Sequence, residues 1–304
     1  GQGRTGQRAA LAPDTYYNAA EALLREARSI FDNLNQAERS VEVYLELGSL
    51  YRDRLIDQPN SSWNALRQRA HEKSYTEALS MLKSAERMAR LHHLAQHVLD
   101  VRINLARVYY YVGNNGEATR ILDGLEADAD YKRHIVRPGA LVNDHDNELR
   151  DRNWIFRHLA IAQWIRGWMA LDQFDQRVAH YREAFPKDTR QQRQERVKAD
   201  PEANASLDKA ARAYALGIAQ AELYSPRSRS IGNMQNDLYR RLRASNRGEL
   251  ESFRASLEKV DAEFEHRLNS AQLLLRFMTE FFGLPEQEAK TDKPVQQIGE
   301  GDHE

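Results

Sequence analysis

The stretch Leu105-Ala106-Arg107-Val108-Tyr109-Tyr110-Tyr111-Val112-Gly113-Asn114-Asn115-Gly116-Glu117-Ala118-Thr119-Arg120-Ile121-Leu122-Asp123-Gly124-Leu125 decides the fold class. On either side of Gly113 the apolar residues recur at three and four positions, the spacing of one helix face. Gly113 stands where the first helix must end in a left-handed residue, and the Asn-Asn-Gly that follows is a turn signal. Two helices joined by a tight turn are therefore predicted. The same periodicity runs outward in both directions. Tyr17, Ala20, Leu23, Leu24, Ala27 and Ile30 form one stripe expected to face a partner helix, and Val43, Leu47, Leu50 and Tyr51 form another. Tyr75, Ala78, Leu82, Ala85 and Met88 precede Val98, Val101, Leu105, Val108 and Tyr109. Alternating strand-type segments are almost absent, and 15 Gly and 8 Pro interrupt 304 residues, so an all-α chain is expected.

Self-similarity is the stronger signal, because stacked helix pairs define solenoids. Tyr44, Leu47, Gly48 and Tyr51 with Ala78, Leu82 and Ala85 restate the large and small places of Leu105, Ala106, Tyr109, Ala118, Leu122 and Leu125. Ile161, Trp164, Trp168, Phe174, Tyr181 and Ala184 give a degenerate third unit with Arg177 at a small place, and Ala20, Leu24 and Ala27 fit the second helix of a unit whose first is missing. The chain is thus expected to begin in mid-repeat. Small residues at Ala20, Gly48, Ala78, Ala106 and Ala118 would let helices approach while Tyr, Leu and Trp fill the adjoining space.

These places resemble the tetratricopeptide repeat. Ala20 to Gly48 and Ala78 to Ala106 are each 28 residues apart, where the standard 34-residue repeat gives about 22. The elongation resembles the sensor regions of bacterial STAND-type ATPases and MalT-like regulators. The resemblance implies a right-handed helical solenoid over residues 16–185, holding a long loop at 127–152, after a flexible start at 1–15. Residues 186–201 are expected as a polar linker or helix end, 202–284 as C-terminal capping helices, and 285–304 as a disordered tail. Within the cap, 205–223 and 231–242 are expected as helices. Leu250, Phe253, Leu257, Val260, Phe264, Leu268, Leu275, Met278 and Phe282 mark one long helix.

The chemistry is mostly exclusion. Lys plus Arg total 44 against 45 Asp plus Glu, which argues against a globally basic nucleic-acid binder. The absence of Cys removes disulfides, thiolate metal sites and thiol nucleophiles. No apolar run approaches the length of a membrane span. Neither the phosphate-loop Gly/Lys spacing nor a G-x-S-x-G elbow occurs, so no catalytic residue and no cofactor is assigned. His93 and His97, four apart and expected on one helix, offer imidazoles but lack the Glu of a zinc protease. Asp144, His145, Asp146 and Glu148 lack calcium-loop spacing. No metal site is assigned. Trp154, Trp164 and Trp168 are expected as core, and Trp63 falls in an insertion over residues 53–74.

If the first helices of the repeats line a concave face, as the resemblance implies, the groove carries Ser49, Arg52, Asn104, Arg107, Tyr110, Tyr111, Arg166 and Met169. The partner-binding candidates are Arg52, Asn104, Arg107, Tyr110, Tyr111 and Arg166. Asn104 holds the place of the family's carboxylate-clamp asparagine, although the accompanying lysines are missing. Guanidinium groups suit carboxylate or phosphate, and tyrosine adds rigid contact area. The competing expectation is that these arginines pair with acids on neighbouring helices. A non-catalytic module is expected, binding a protein or peptide partner, or other domains of the same polypeptide, as the cytoplasmic sensor part of a larger bacterial signalling or defence protein. The alternative is a nucleic-acid-binding helical module using Arg227, Arg229, Arg240, Arg241, Arg243 and Arg247. Nearby Asp237, Glu249, Glu251 and Glu258 and the lack of a recognition-helix pattern disfavour it.

Overall fold

The computed structural model describes residues 13–56, 73–132, 134–136 and 153–284, and among them there are helices and no strand. The helices are α1 (Pro13–Asn33), α2 (Ala37–Ile56), α3 (Lys73–Leu91), α4 (Ala95–Tyr111), α5 (Asn115–Ala127), the single turn α6 (Ala129–Lys132), α7 (Trp154–Ala184), α8 (Arg190–Ala199), α9 (Pro201–Tyr224), α10 (Arg229–Leu242), α11 (Arg247–Glu263) and α12 (Asn269–Phe282). Trp63, the Asp144–Glu148 group and the tail at 285–304 lie outside the described residues. Helical structure begins at Pro13, inside the expected flexible start.

One reverse turn recurs. Gly113 has φ 79°; its N–H donates to the Tyr110 carbonyl, and Asn114 N–H reaches back to that of Tyr109. Asn35, His93 and Glu265, at φ 53°, 55° and 55°, form the same paired bonds between α1 and α2, α3 and α4, and α11 and α12. The pattern satisfies helix-end carbonyls that would otherwise lack donors. It also separates His93 from His97: His93 occupies the turn and only His97 is on α4, so the expected pair on one helix does not exist.

Helices α1 to α5 pack each on its neighbour in sequence, and α4 also packs on α7. Gly48 lets α2 approach α3, since a Cβ there would lie 2.6 Å from Leu82 Cγ. That is the small-against-large contact expected from the sequence. The stripe of α1 is displaced from expectation. Leu24, Ala27 and Phe31 pack inward, while Tyr16, Leu23, Ile30 and Leu34 remain exposed.

The third unit is not a helix pair. Residues 154–184 form one unbroken helix, since neither Pro nor a left-handed residue interrupts them and Gly167 keeps helical geometry. At about 1.5 Å per residue, α7 spans roughly 46 Å. Its most extensive partner is α9. Gly167 makes that crossing possible, because a Cβ there would stand 2.7 Å from the Tyr214 ring. Ala-rich α9 in turn touches α10, α11 and α12. Two apolar cores result, one built by α2 to α5 and the inner part of α7, the other by α7 to α12, with Trp164 packed against both.

Two further expectations change. Residues 190–199, expected as a polar linker or a helix end, form a helix of their own: Thr189 and Gln192 close a capping box, and Asp200 then caps α9, with Pro201 at its first position. Arg177, the misfit of the third unit, bonds Asp200 and Glu202 and ties α7 to the start of α9. The long C-terminal helix is two helices. Its apolar stripe continues through Phe264 and Leu268, but Glu265 and His266 adopt positive φ and reverse the chain between them.

Candidate functional site

Arg52 stands in the last turns of α2 and is 7% exposed, with Ser49 half-buried one turn earlier. Its guanidinium bonds Asn104 Oδ1 on α4 and reaches Asp53 Oδ1 at 2.6 Å. Asn104 is committed from both ends, because its amide nitrogen donates at 3.0 Å to the carbonyl and to the carboxylate of Asp100. Its donors are therefore taken, and its role here is to hold Arg52, not to clamp a carboxylate. Burial opposes ionisation of Asp100, but hydrogen bonding and charge from His158 prevail and hold the carboxyl below its usual value.

One turn beyond Asn104, Arg107 extends the strip. Its Nη2 approaches the Tyr111 hydroxyl at 3.5 Å, and its buried Nε has no acceptor among the described residues. No described carboxylate pairs with it. Burial, followed by repulsion from Arg107, lowers the pKa of Arg52. Two guanidinium groups from different helices thus stand close together, and Asp53 pairs with Arg52 alone.

Tyr111 and Tyr110 then meet Trp168 of α7 at ring-centre distances of 6.1 and 5.4 Å. Below them lies a buried polar network absent from the sequence expectations. The Tyr110 hydroxyl donates to Asp172 Oδ2 at 3.0 Å, and Arg241 bonds both the Asp172 carboxylate and the Tyr110 oxygen at 3.1 Å. Asp237 Oδ2 accepts from Trp164 Nε1, Trp168 Nε1 and Tyr214 Oη at 2.9, 2.7 and 2.6 Å. Burial and the nearby carboxylates raise the Tyr110 and Tyr214 phenols. Arg241 is raised, burial being outweighed by the tyrosines and acids around it. Tyr110 is 1% exposed, so among the candidate residues it is a support and not a contact surface. These partners stand 23 to 131 residues apart in sequence, and no local spacing could have announced them.

Arg166 does not join the strip. It pairs with Asp123 and Glu126 of α5 at 2.8 and 2.9 Å and, with Met169, lines a separate cavity of about 870 Å³ bounded also by α9. The competing expectation of acid pairing therefore holds for Arg166 and not for Arg107. The alternative basic cluster is also divided. Arg241 turns inward and Arg247 pairs with Glu251, leaving Arg227, Arg229, Arg240 and Arg243 on the outside.

Among the described residues, His97, Glu38 and Glu42 bring three ligand-type atoms within 4.8 Å, but Arg39 already bonds Glu42 at 2.7 Å. No described helix is long and apolar enough to cross a membrane. Compared with protein-family models, curated proteins and solved structures, the chain finds no match in any of the three.

Proposed function

We propose that the chain is a non-catalytic recognition module, tetratricopeptide-like in its first half, that binds an acidic segment of a protein or peptide along Arg52, Arg107 and Tyr111. The observation carrying this is the pair of guanidinium groups on α2 and α4, of which Arg107 has no described carboxylate partner while its Nε is withdrawn from water. A buried donor without an acceptor costs about 1–3 kcal/mol, and an incoming carboxylate would relieve it. The strip runs along one face of α4 at positions 104, 107 and 111, which suits an extended chain. Asn104 and Asp100 fix Arg52, and Trp168 backs the tyrosines. Elongated repeats like those of bacterial sensor regions support a role in signalling within the cytoplasm, with the bound state passed to further domains.

The test is fluorescence anisotropy of the whole chain with a labelled peptide of alternating Glu and Gly. Arg107→Glu should weaken capture at least tenfold, which corresponds to about 1.4 kcal/mol. Arg166→Glu, which alters an already neutralised arginine, should change it less than threefold. Equal loss in both variants, or no loss in the first, overturns the assignment.

A further inference from the structure

A second basic site lies beyond the buried network, which reaches it through Arg241, and it uses none of the residues proposed for the strip on α2 and α4. Helices α7 and α8 and the junction of α10 with α11 line an open cleft of about 590 Å³. Arg182 enters it from α7, Arg190 and Arg193 from α8, and Arg241 from α10. Arg241 is committed to Asp172 and Asp237. The other three have neither an ion pair nor a side-chain hydrogen bond among the described residues. The contrast within α8 is informative: Arg196, one turn past Arg193, pairs with Asp188 at 2.7 Å and covers the Phe185 ring. On α8, the arginines that line the cavity are the ones without an acid among the described residues.

Two carboxylates share the walls. Glu249 closes the capping box of α11 by accepting from Asn246 N–H at 2.9 Å. The Asn246 side chain in turn occupies the Glu249 amide, so the arginines, and not the helix end, supply the donors. Asp175 opens into the cavity. Protein around it, then Asp172 and Glu249, push its carboxyl up to about 6, against the opposing charge of Arg241. Arg182 on its own helix and Arg190 and Arg193 opposite complete the charged groups of the chamber. A smaller cavity of about 220 Å³ adjoins, sharing Gln194, Val197, Asn246 and Glu249, and is lined by the buried apolar side chains of Phe174 and Leu207.

We infer that the two cavities form one binding site for a phosphate-bearing small molecule with a flat apolar end, of mononucleotide size. Three unpaired guanidinium groups converging on one space exceed what a single carboxylate would satisfy, and their planar forks match the several oxygens of a phosphate chain. The larger chamber falls within the range of about 300–1,000 Å³ usual for small-molecule pockets. A cleft of this volume with an apolar annex suits a compact ligand that carries both a phosphate and a flat apolar end. Phosphate sits against Arg182, Arg190 and Arg193, and the apolar end lies over Phe174 and Leu207.

Isothermal titration of the whole chain with inorganic tripolyphosphate and with ATP tests this. Both should bind, ATP at least tenfold more tightly because its base reaches the apolar annex. Arg190→Glu with Arg193→Glu should weaken each at least tenfold. Arg39→Glu with Arg120→Glu, the same charge change at two exposed positions on α2 and α5, should leave both within twofold. Asp175→Asn should tighten tripolyphosphate several-fold, a gain that misfolding cannot imitate. Equal losses in the two double variants would reduce the effect to net charge and overturn the site. So would absence of heat from either ligand at millimolar concentration. Displacement of ATP by a lower concentration of a 20-nucleotide oligothymidylate would assign the arginines to a nucleic-acid backbone instead.

Discussion

Asp237 shows how one side chain can organise a helical protein. Three donors from α7 and α9 converge on its Oδ2, and Arg241, one turn on, carries the network to Asp172 and Tyr110. Asp237→Ala would leave Tyr214, which is fully buried, and two indole N–H groups without their acceptor. Each buried donor so stranded costs about 1–3 kcal/mol, so a loss on the order of 3 kcal/mol is expected after relaxation. Urea unfolding followed by tryptophan fluorescence measures it, and Asp237→Asn, which keeps an oxygen, should lose less. At the same scale, Asn104, expected as a carboxylate clamp, has its amide spent on Asp100 and Arg52 instead.

At the scale of elements, glycine has opposite meanings in two helices. Gly167 in α7 lies against the Tyr214 ring of α9, and a methyl group there must displace a packed aromatic in the largest helix interface. Gly167→Ala should cost about 1–3 kcal/mol by overpacking. Gly232 in α10 meets nothing within 4 Å of its would-be Cβ and faces solvent. Gly232→Ala should therefore stabilise, by about 0.5–1 kcal/mol, through helix propensity alone. Thermal melts of the two single variants should move in opposite directions. The left-handed turns give a parallel lesson. Asn35, His93 and Glu265 adopt the conformation that glycine signals at Gly113, because the helices they join hold them there. Only the glycine turn was legible in advance.

At the scale of the whole molecule, acid should act in two stages. Asp175 is pushed up to about 6 by the protein around it and by Asp172, and Glu222 is raised by partial burial, so as the pH falls below neutrality the folded state takes up protons that the unfolded state does not, and stability rises modestly. Glu21, Asp100 and Asp200 are held low, burial being outweighed by Tyr51 and Arg25, by His158 and by Arg177. Their contribution is complete above about 4.5 and is lost as the pH falls further, when the folded state must accept protons it binds poorly. Urea midpoints measured from pH 7.5 to 2.5 should pass through a maximum near pH 5. A monotonic fall would contradict the placement of Asp175 beside Asp172 and Glu249 at the cleft wall.

The sequence by itself determined that the described chain is helical and where α2 to α5 meet, because those contacts join neighbours and are written in local spacing. Gly113, Gly48 with Leu82, and Leu105 with Ala106 were legible for that reason. The same spacing misled at α7 and between α11 and α12, since a periodic apolar stripe continues unchanged through a break or the lack of one. Only the tertiary structure decided which arginines are neutralised. Arg166 meets Asp123 and Glu126, Arg241 turns inward to Asp172, and Arg107 and Arg193 find no described acid, although all four stand in similar helical contexts. Charge pairing depends on a few ångströms between side chains distant in sequence, and helical periodicity carries no record of that distance.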